Sequence, residues 1–136
     1  MNTQDPRTYQ DLLFCRVAYE ILRSKDLDRT IFTAVNGDSA TAASHMISAL
    51  MKGCLVDDRE GFRICCLHDP NAVVTRLSND FSYKDVFAVQ LRILARRGAA
   101  DRNRSNGNSS NILRAWDTTW KMGMNVIRFS GRNGTR

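Results

Sequence analysis

Between residues 39 and 66 the spacing of apolar side chains changes from a helical to a strand period, and Gly53 marks the change. In SATAASHMISALMKG, residues Ala42, Ala43, Met46, Ile47, Leu50 and Met51 recur three and four apart, lining one face of a helix. Asp38 or Ser39 supplies its N-cap and Gly53 its stop. Beyond it, CLVDDREGFRICCL reads as two short strands around a turn near Asp58 to Gly61, with Phe62, Ile64 and Cys66 alternating toward one side.

The rest of the chain is predicted to be largely helical. Asp5-Pro6 is an N-cap followed by a first-turn proline, and Tyr9, Leu13, Val17 and Ile21 continue from it at four-residue spacing. DLDRTIFTAVNG reads as a shorter helix stopped by Asn36-Gly37. A second Asp-Pro, Asp69-Pro70, opens NAVVTRLSNDF, and Ser82 caps YKDVFAVQLRILARRG. Ile112, Trp116 and Trp120 then recur at helical spacing, so one helix packing against the body accounts for both tryptophans. The expected division is a core with its following helices over residues 5–98, a polar basic linker over 99–110, and an amphipathic helix with a basic tail over 111–136.

Three helices followed by a hairpin resemble the winged-helix superfamily, over roughly residues 8–67. HMISALMKGCLVDDREGFRI carries the resemblance, as an apolar helix that ends at a glycine-bearing turn and enters a two-stranded wing. Similar modules occur in transcription regulators, in replication and chromatin proteins, and in meiotic HORMA-family axis proteins. The resemblance implies a mainly α fold: a winged-helix-like domain with a small β-hairpin and additional C-terminal helices. In such folds the third helix enters the major groove while the wing touches the backbone.

Charge argues against that use of the helix. Its outer residues, Ser44, His45, Ser48 and Lys52 among them, offer a single full charge, and the wing tip DDREG holds three carboxylates and one arginine. Phosphate contacts supply most non-specific affinity for nucleic acid. Residues 1–91 carry twelve acidic and ten basic side chains, a net −2, whereas residues 92–136 carry ten basic and two acidic, a net +8. Sixteen of the twenty basic residues are arginine, which grips phosphate and stacks on flat rings better than lysine. The expected anion contacts are therefore Arg96, Arg97, Arg102, Arg104, Arg114, Lys121, Arg128 and Arg132. Ser44, His45, Ser48 and Lys52 are the helix contacts expected in second place.

Catalytic and metal chemistry finds little in the pattern. Cys54, Cys65, Cys66 and His68 are zinc-capable, but structural zinc sites usually bring paired ligands two to four residues apart, and here two cysteines are adjacent. No phosphate-binding glycine loop is present and only two histidines exist. No catalytic residue, metal or cofactor is expected. The N-terminal MNTQDPRTYQ lacks the apolar core of a signal peptide, so a nuclear or cytoplasmic protein is expected, not secreted and without a membrane partner. The expected function is a non-enzymatic domain that binds nucleic acid or a nucleosome through its last third and docks protein through its front half. The alternatives are an RNA-binding or genome-packaging protein, for example viral, and a pure protein-interaction adaptor.

Overall fold

The computed structural model describes residues 6–55, 60–96, 102–104 and 109–127. Helix α1 (Pro6–Asp26) leads into β1 (Ile31–Ala34), followed by α2 (Ser39–Ser48), which continues as a π-helical turn over Ala49–Gly53. Then come β2 (Ile64–Cys66), α3 (Asn71–Asp80), a 3-10 turn (Tyr83–Asp85), α4 (Val86–Leu94), β3 (Arg102–Arg104) and α5 (Ser110–Lys121). The strands form one sheet in the order β2-β1-β3. Both pairings are parallel, with Ile31, Phe32 and Thr33 opposite Ile64, Cys65 and Cys66, and Phe32, Thr33 and Ala34 opposite Arg102, Asn103 and Arg104. Parallel neighbours cannot be joined by a two-residue turn, so each connection crosses back over the sheet through helices.

β1 is buried at every position because it has a strand on each side and packing on each face. Phe32 and Ala34 point to one face, into a cluster with Leu67, Val86, Phe87, Leu91, Ala95, Ile112, Ala115 and Met124. Ile31, Thr33 and Val35 lie on the opposite face and are buried too. Helix α4 brings Val86, Phe87, Gln90 and Leu91 to the cluster at helical spacing. Gln90 is a polar group in this apolar setting, and its Nε2 donates to Leu67 O at 2.9 Å and to Val86 O at 3.1 Å. Left unpaired, such a buried amide would cost about 1–3 kcal/mol; paired, it ties α4 to the end of β2.

This architecture overturns the winged-helix expectation and its mainly α fold class, and the chain is α/β. The segment DLDRTIFTAVNG, expected to be helical, contains β1. A short, fully buried strand loses the alternation that marks a strand in sequence and reads like one side of a buried helix. The expected hairpin is also absent from the described residues. Residues 64–66 pair in parallel with β1, with Ile31 N–H donating to Arg63 O at 2.7 Å and Leu67 N–H to Thr33 O at 2.9 Å. At Gly61 the chain passes the end of the π-helical turn so closely that a Cβ would lie 2.6 Å from Met51 O. Only glycine permits that approach.

The tryptophans are corrected as well. α5 buries Asn111, Ile112, Ala115, Thr118 and Thr119 against the body. Trp120 is 79% exposed and Trp116 37%, so neither tryptophan is core, whereas Ile112 and Met124 are. Replacing Leu91, which is fully buried in the cluster, by alanine is expected to lower stability by about 2–5 kcal/mol in urea unfolding. Trp120→Ala is expected to change it by less than about 0.5 kcal/mol, despite removing a larger side chain.

Candidate functional site at the carboxyl edge of the sheet

In the order β2-β1-β3 the chain leaves β1 toward one side and returns on the other. Connections diverge at such a reversal, which leaves a crevice outside the carboxyl ends of the strands, the usual ligand position in open α/β sheets. Three segments meet that edge: residues 36–38 between β1 and α2, residues 67–70 between β2 and α3, and residues 109–111 at the start of α5. Gly37 has φ +58°, a left-handed conformation that glycine adopts without penalty, and it turns the chain from β1 into α2.

Two amides close the edge between β1 and α5. Asn36 Nδ2 donates to Asn111 Oδ1 at 2.9 Å, and Asn111 Nδ2 donates to Asn36 Oδ1 at the same distance. Tyr83 OH donates to Asn36 Oδ1 at 3.1 Å, and Asn111 Oδ1 also accepts from the Ile112 N–H at 2.9 Å. Asn111 is 1% exposed, so its hydrogen bonds offset a desolvation cost and lock the first turn of α5 against the end of β1.

The helix starts at this edge differ electrically. An α-helix presents unpaired N–H groups and partial positive charge at its N-terminus. α5 has no acidic side chain in its first turn, and the Ser109 side chain makes no capping hydrogen bond. α2 begins beside Asp38, whose carboxylate makes no capping bond either. An anion is therefore accommodated better at α5 than at α2, where a carboxylate already sits.

At the end of β2 lies a second cluster. Cys65 pairs with Phe32 and packs against the core, whereas Cys66 pairs with Thr33 and points to the other face. Cys66 Sγ lies 3.2 Å from His68 Nδ1 and 3.0 Å from Nε2, and His68 Nε2 is 3.7 Å from Asp69 Oδ1. Ser44 of α2 donates to the same Asp69 oxygen at 3.3 Å. Burial pushes both thiols above their ordinary pKa. For Cys66 burial is the main cause, the nearby Asp69 carboxylate adds to it, and the Thr33 hydroxyl and His68 backbone partly offset it.

Arg96 is exposed beyond α4, while the side chains of Arg97, Arg102, Arg104, Arg128 and Arg132 lie outside the described residues. The backbone of Arg102 and Arg104 forms β3. Arg114 Nε lies 3.2 Å from Asp85 Oδ1, and Lys121 Nζ lies 2.7 Å from Asp117 Oδ2, so both cations face carboxylates. Of the helix contacts, Ser44 reaches Asp69, while His45, Ser48 and Lys52 are exposed on α2 and its π-helical extension. Asn36 and Asp69 read in the sequence only as helix boundaries, and Asn111 and Tyr83 carry no functional signal there. The paired Asn-Gly and Ser-Ser-Asn at the ends of two strands were the available signal, but only the strand order makes it readable.

No protein-family model matches the chain. It is similar to the phosphoheptose isomerase of Thermodesulfovibrio yellowstonii, 32% identical over 125 residues, which cover 91% of this chain and 62% of that protein. It is also similar to that of Helicobacter pylori strain HPAG1, 31% identical over 73% of this chain and 52% of that protein. With that of Mycobacterium tuberculosis H37Ra the identity is 34%, over 76% of this chain and 53% of that protein. The chain thus spans between half and two thirds of the length of these relatives. Among solved structures, a phosphoheptose isomerase from Francisella tularensis superposes with a TM-score of 0.79 at 22% identity, over 90% of this chain and 64% of the other. One from Neisseria gonorrhoeae superposes with a TM-score of 0.65 at 26% identity, over 93% and 77%.

These likenesses give the chain the α/β fold of the phosphoheptose isomerases. They also overturn the expectation of a non-enzymatic protein, since the relatives are isomerases. Nucleic-acid, nucleosome and chromatin partners have no support among them, nor does genome packaging or a pure adaptor role. The nuclear location falls with the chromatin reading. No helix among the described residues is long and apolar enough to cross a membrane.

Partial burial makes Cys65 and Cys66 slower to react than an exposed thiol. Iodoacetamide at neutral pH should label the exposed Cys15 well before Cys65 and Cys66, as read by peptide mass spectrometry. Because burial disfavours the thiolate, labelling of the adjacent pair should accelerate only above the ordinary thiol range, about pH 8.5. Equal labelling of all three at pH 7 would contradict the half-buried placement of Cys65 and Cys66 in β2.

Proposed function

We propose that this chain binds a phosphorylated heptose in the crevice at the carboxyl edge of the sheet and serves its isomerisation in a cytoplasmic enzyme. The observation that carries the reading is the start of α5, which lies beside the end of β1 through the Asn36–Asn111 pair and lacks acidic side chains in its first turn. A phosphate dianion placed there gains from the helix N–H groups and the helix dipole. The likeness to proteins named for phosphoheptose isomerisation supplies the substrate class. Sugar hydroxyls would then find polar groups along the crevice, where Asn36, Tyr83 and Asp69 lie.

Binding and turnover are separable in the test. A phosphorylated heptose should bind by calorimetry, inorganic phosphate should compete with it, and the unphosphorylated sugar should not bind. Ser110→Asp puts a carboxylate on the exposed first residue of α5. It should weaken phosphorylated-sugar binding at least about tenfold through charge repulsion, while leaving thermal stability equal or slightly higher, because an acid at a helix N-terminus is stabilising. Binding indifferent to the phosphate group or to this substitution would refute the placement at α5. Interconversion of the aldose and ketose phosphates, followed by NMR, tests the isomerase part on its own.

A further inference from the structure

We propose that the groove between α4 and α5 binds a small phosphate monoester bearing free hydroxyls, held through Arg92, Arg114 and Lys121. The groove follows the flank of α5 from Arg114 to Lys121, shares no residue with the crevice at the carboxyl edge, and does not rest on the reading of that crevice. Its cavity is about 390 Å³, within the roughly 300–1,000 Å³ usual for small-molecule sites. Helical spacing builds both walls: Asp85, Ala88 and Arg92 follow one another along α4, and Arg114, Asp117 and Lys121 along α5. Ala88, which is buried, and Met122, which packs on the core, are its apolar lining. Asp85 meets Arg114 Nε at 3.2 Å, and Asp117 meets Lys121 Nζ at 2.7 Å. Arg92 is exposed and has no carboxylate partner among the described residues, so three cations face two carboxylates and the groove keeps an excess of positive charge.

The placement of charge selects the ligand. A guanidinium offers a planar fork of donors that matches phosphate oxygens, and α4 and α5 each bring one to the groove. The Arg114 contact to Asp85 is made at Nε, and Lys121 directs one of its three ammonium protons at Asp117, so both cations keep donors for a ligand. A phosphate dianion engages three cations better than a single carboxylate does. The aspartates act in the opposite sense: they repel a longer polyanion and accept hydrogen bonds from hydroxyls. The Thr118 hydroxyl donates to Arg114 O at 3.0 Å, so toward a ligand its oxygen is an acceptor as well. A phosphate with hydroxyls beside it satisfies both sets of groups, whereas a bare polyanion meets Asp85 and Asp117 unpaired. The Arg114 and Lys121 side chains are 55% and 71% exposed, so binding should weaken as salt screens them.

Glycerol 3-phosphate is the probe, titrated into the isotope-labelled full chain and followed by two-dimensional NMR of the backbone amides. The amides of Arg92, Lys121 and Met122 report on the groove, and those of Ser110 and Asn111 on the first turn of α5, so each site gives its own curve. The groove amides should shift along one saturable curve, and glycerol at the same concentrations should leave them in place. Arg92→Gln, at an exposed side chain without a carboxylate partner, should weaken that curve at least about tenfold while the melting temperature stays unchanged. Arg96→Gln, exposed just beyond α4 and outside the groove, should leave the curve as it is. Asp117→Asn should bind inorganic phosphate more tightly than wild type but lose the preference for glycerol 3-phosphate over inorganic phosphate. The proposal is overturned if the groove amides do not shift to saturation, if Arg92→Gln binds as tightly as wild type, if Arg96→Gln weakens binding equally, or if Asp117→Asn keeps the preference. The Ser110 and Asn111 curve reports separately on the α5 crevice.

Discussion

Everything in this chain is arranged around the complete burial of β1. Its four residues hydrogen-bond to a strand on each side and bury side chains on each face. A strand so enclosed satisfies its backbone with a neighbour on each side, here parallel strands supplied by crossovers, and helices over the sheet exclude water from it. α4 and α5 provide the cover over Phe32 and Ala34 through Val86, Phe87, Leu91, Ile112 and Ala115. Gln90 shows how tightly the layers are joined, since its side chain answers a β2-end carbonyl from inside the core.

The same topology creates the place where chemistry belongs. A sheet that grows first to one side of β1 and then to the other must open where the connections part. The two asparagines bridge that opening, and the absence of acidic groups in the first turn of α5 makes it receptive to an anion. The arginines that dominate the composition contribute less than their number suggests. Arg114 faces the half-buried Asp85, while Arg76 faces Asp80 and Arg63 makes two hydrogen bonds to Asp28 at exposed positions where such pairs are worth little.

The helices were legible in the sequence because their signals are local. Asp5-Pro6 marks the start of α1 at Pro6, the face of Ala42, Ala43 and Met46 marks α2, and NAVVTRLSNDF matches α3 nearly residue for residue. The sheet was not legible, because each of its strands lacks the feature that would identify it. β1 has no alternation, β2 is three residues long and its partner lies more than thirty residues earlier, and β3 is the polar triplet Arg-Asn-Arg. A strand beside a glycine-bearing turn looks locally like half of a hairpin, whereas β2 pairs in parallel with a strand more than thirty residues earlier. The candidate site followed the same logic. Asn36 and Asn111 are 75 positions apart, and no local pattern announces that they meet.

The Asn36–Gly37 step has a chemical consequence of its own. An asparagine followed by glycine is the dipeptide most prone to deamidate, because the glycine nitrogen attacks the side-chain carbonyl without steric hindrance. Here that side chain is held from three directions, by Asn111 through two hydrogen bonds and by Tyr83 through a third. Ring closure to the succinimide requires those bonds to break first. Spontaneous ageing of the protein at this position is therefore governed by how often the crevice opens, and hydrolysis to aspartate would set a carboxylate against the amide oxygen of Asn111.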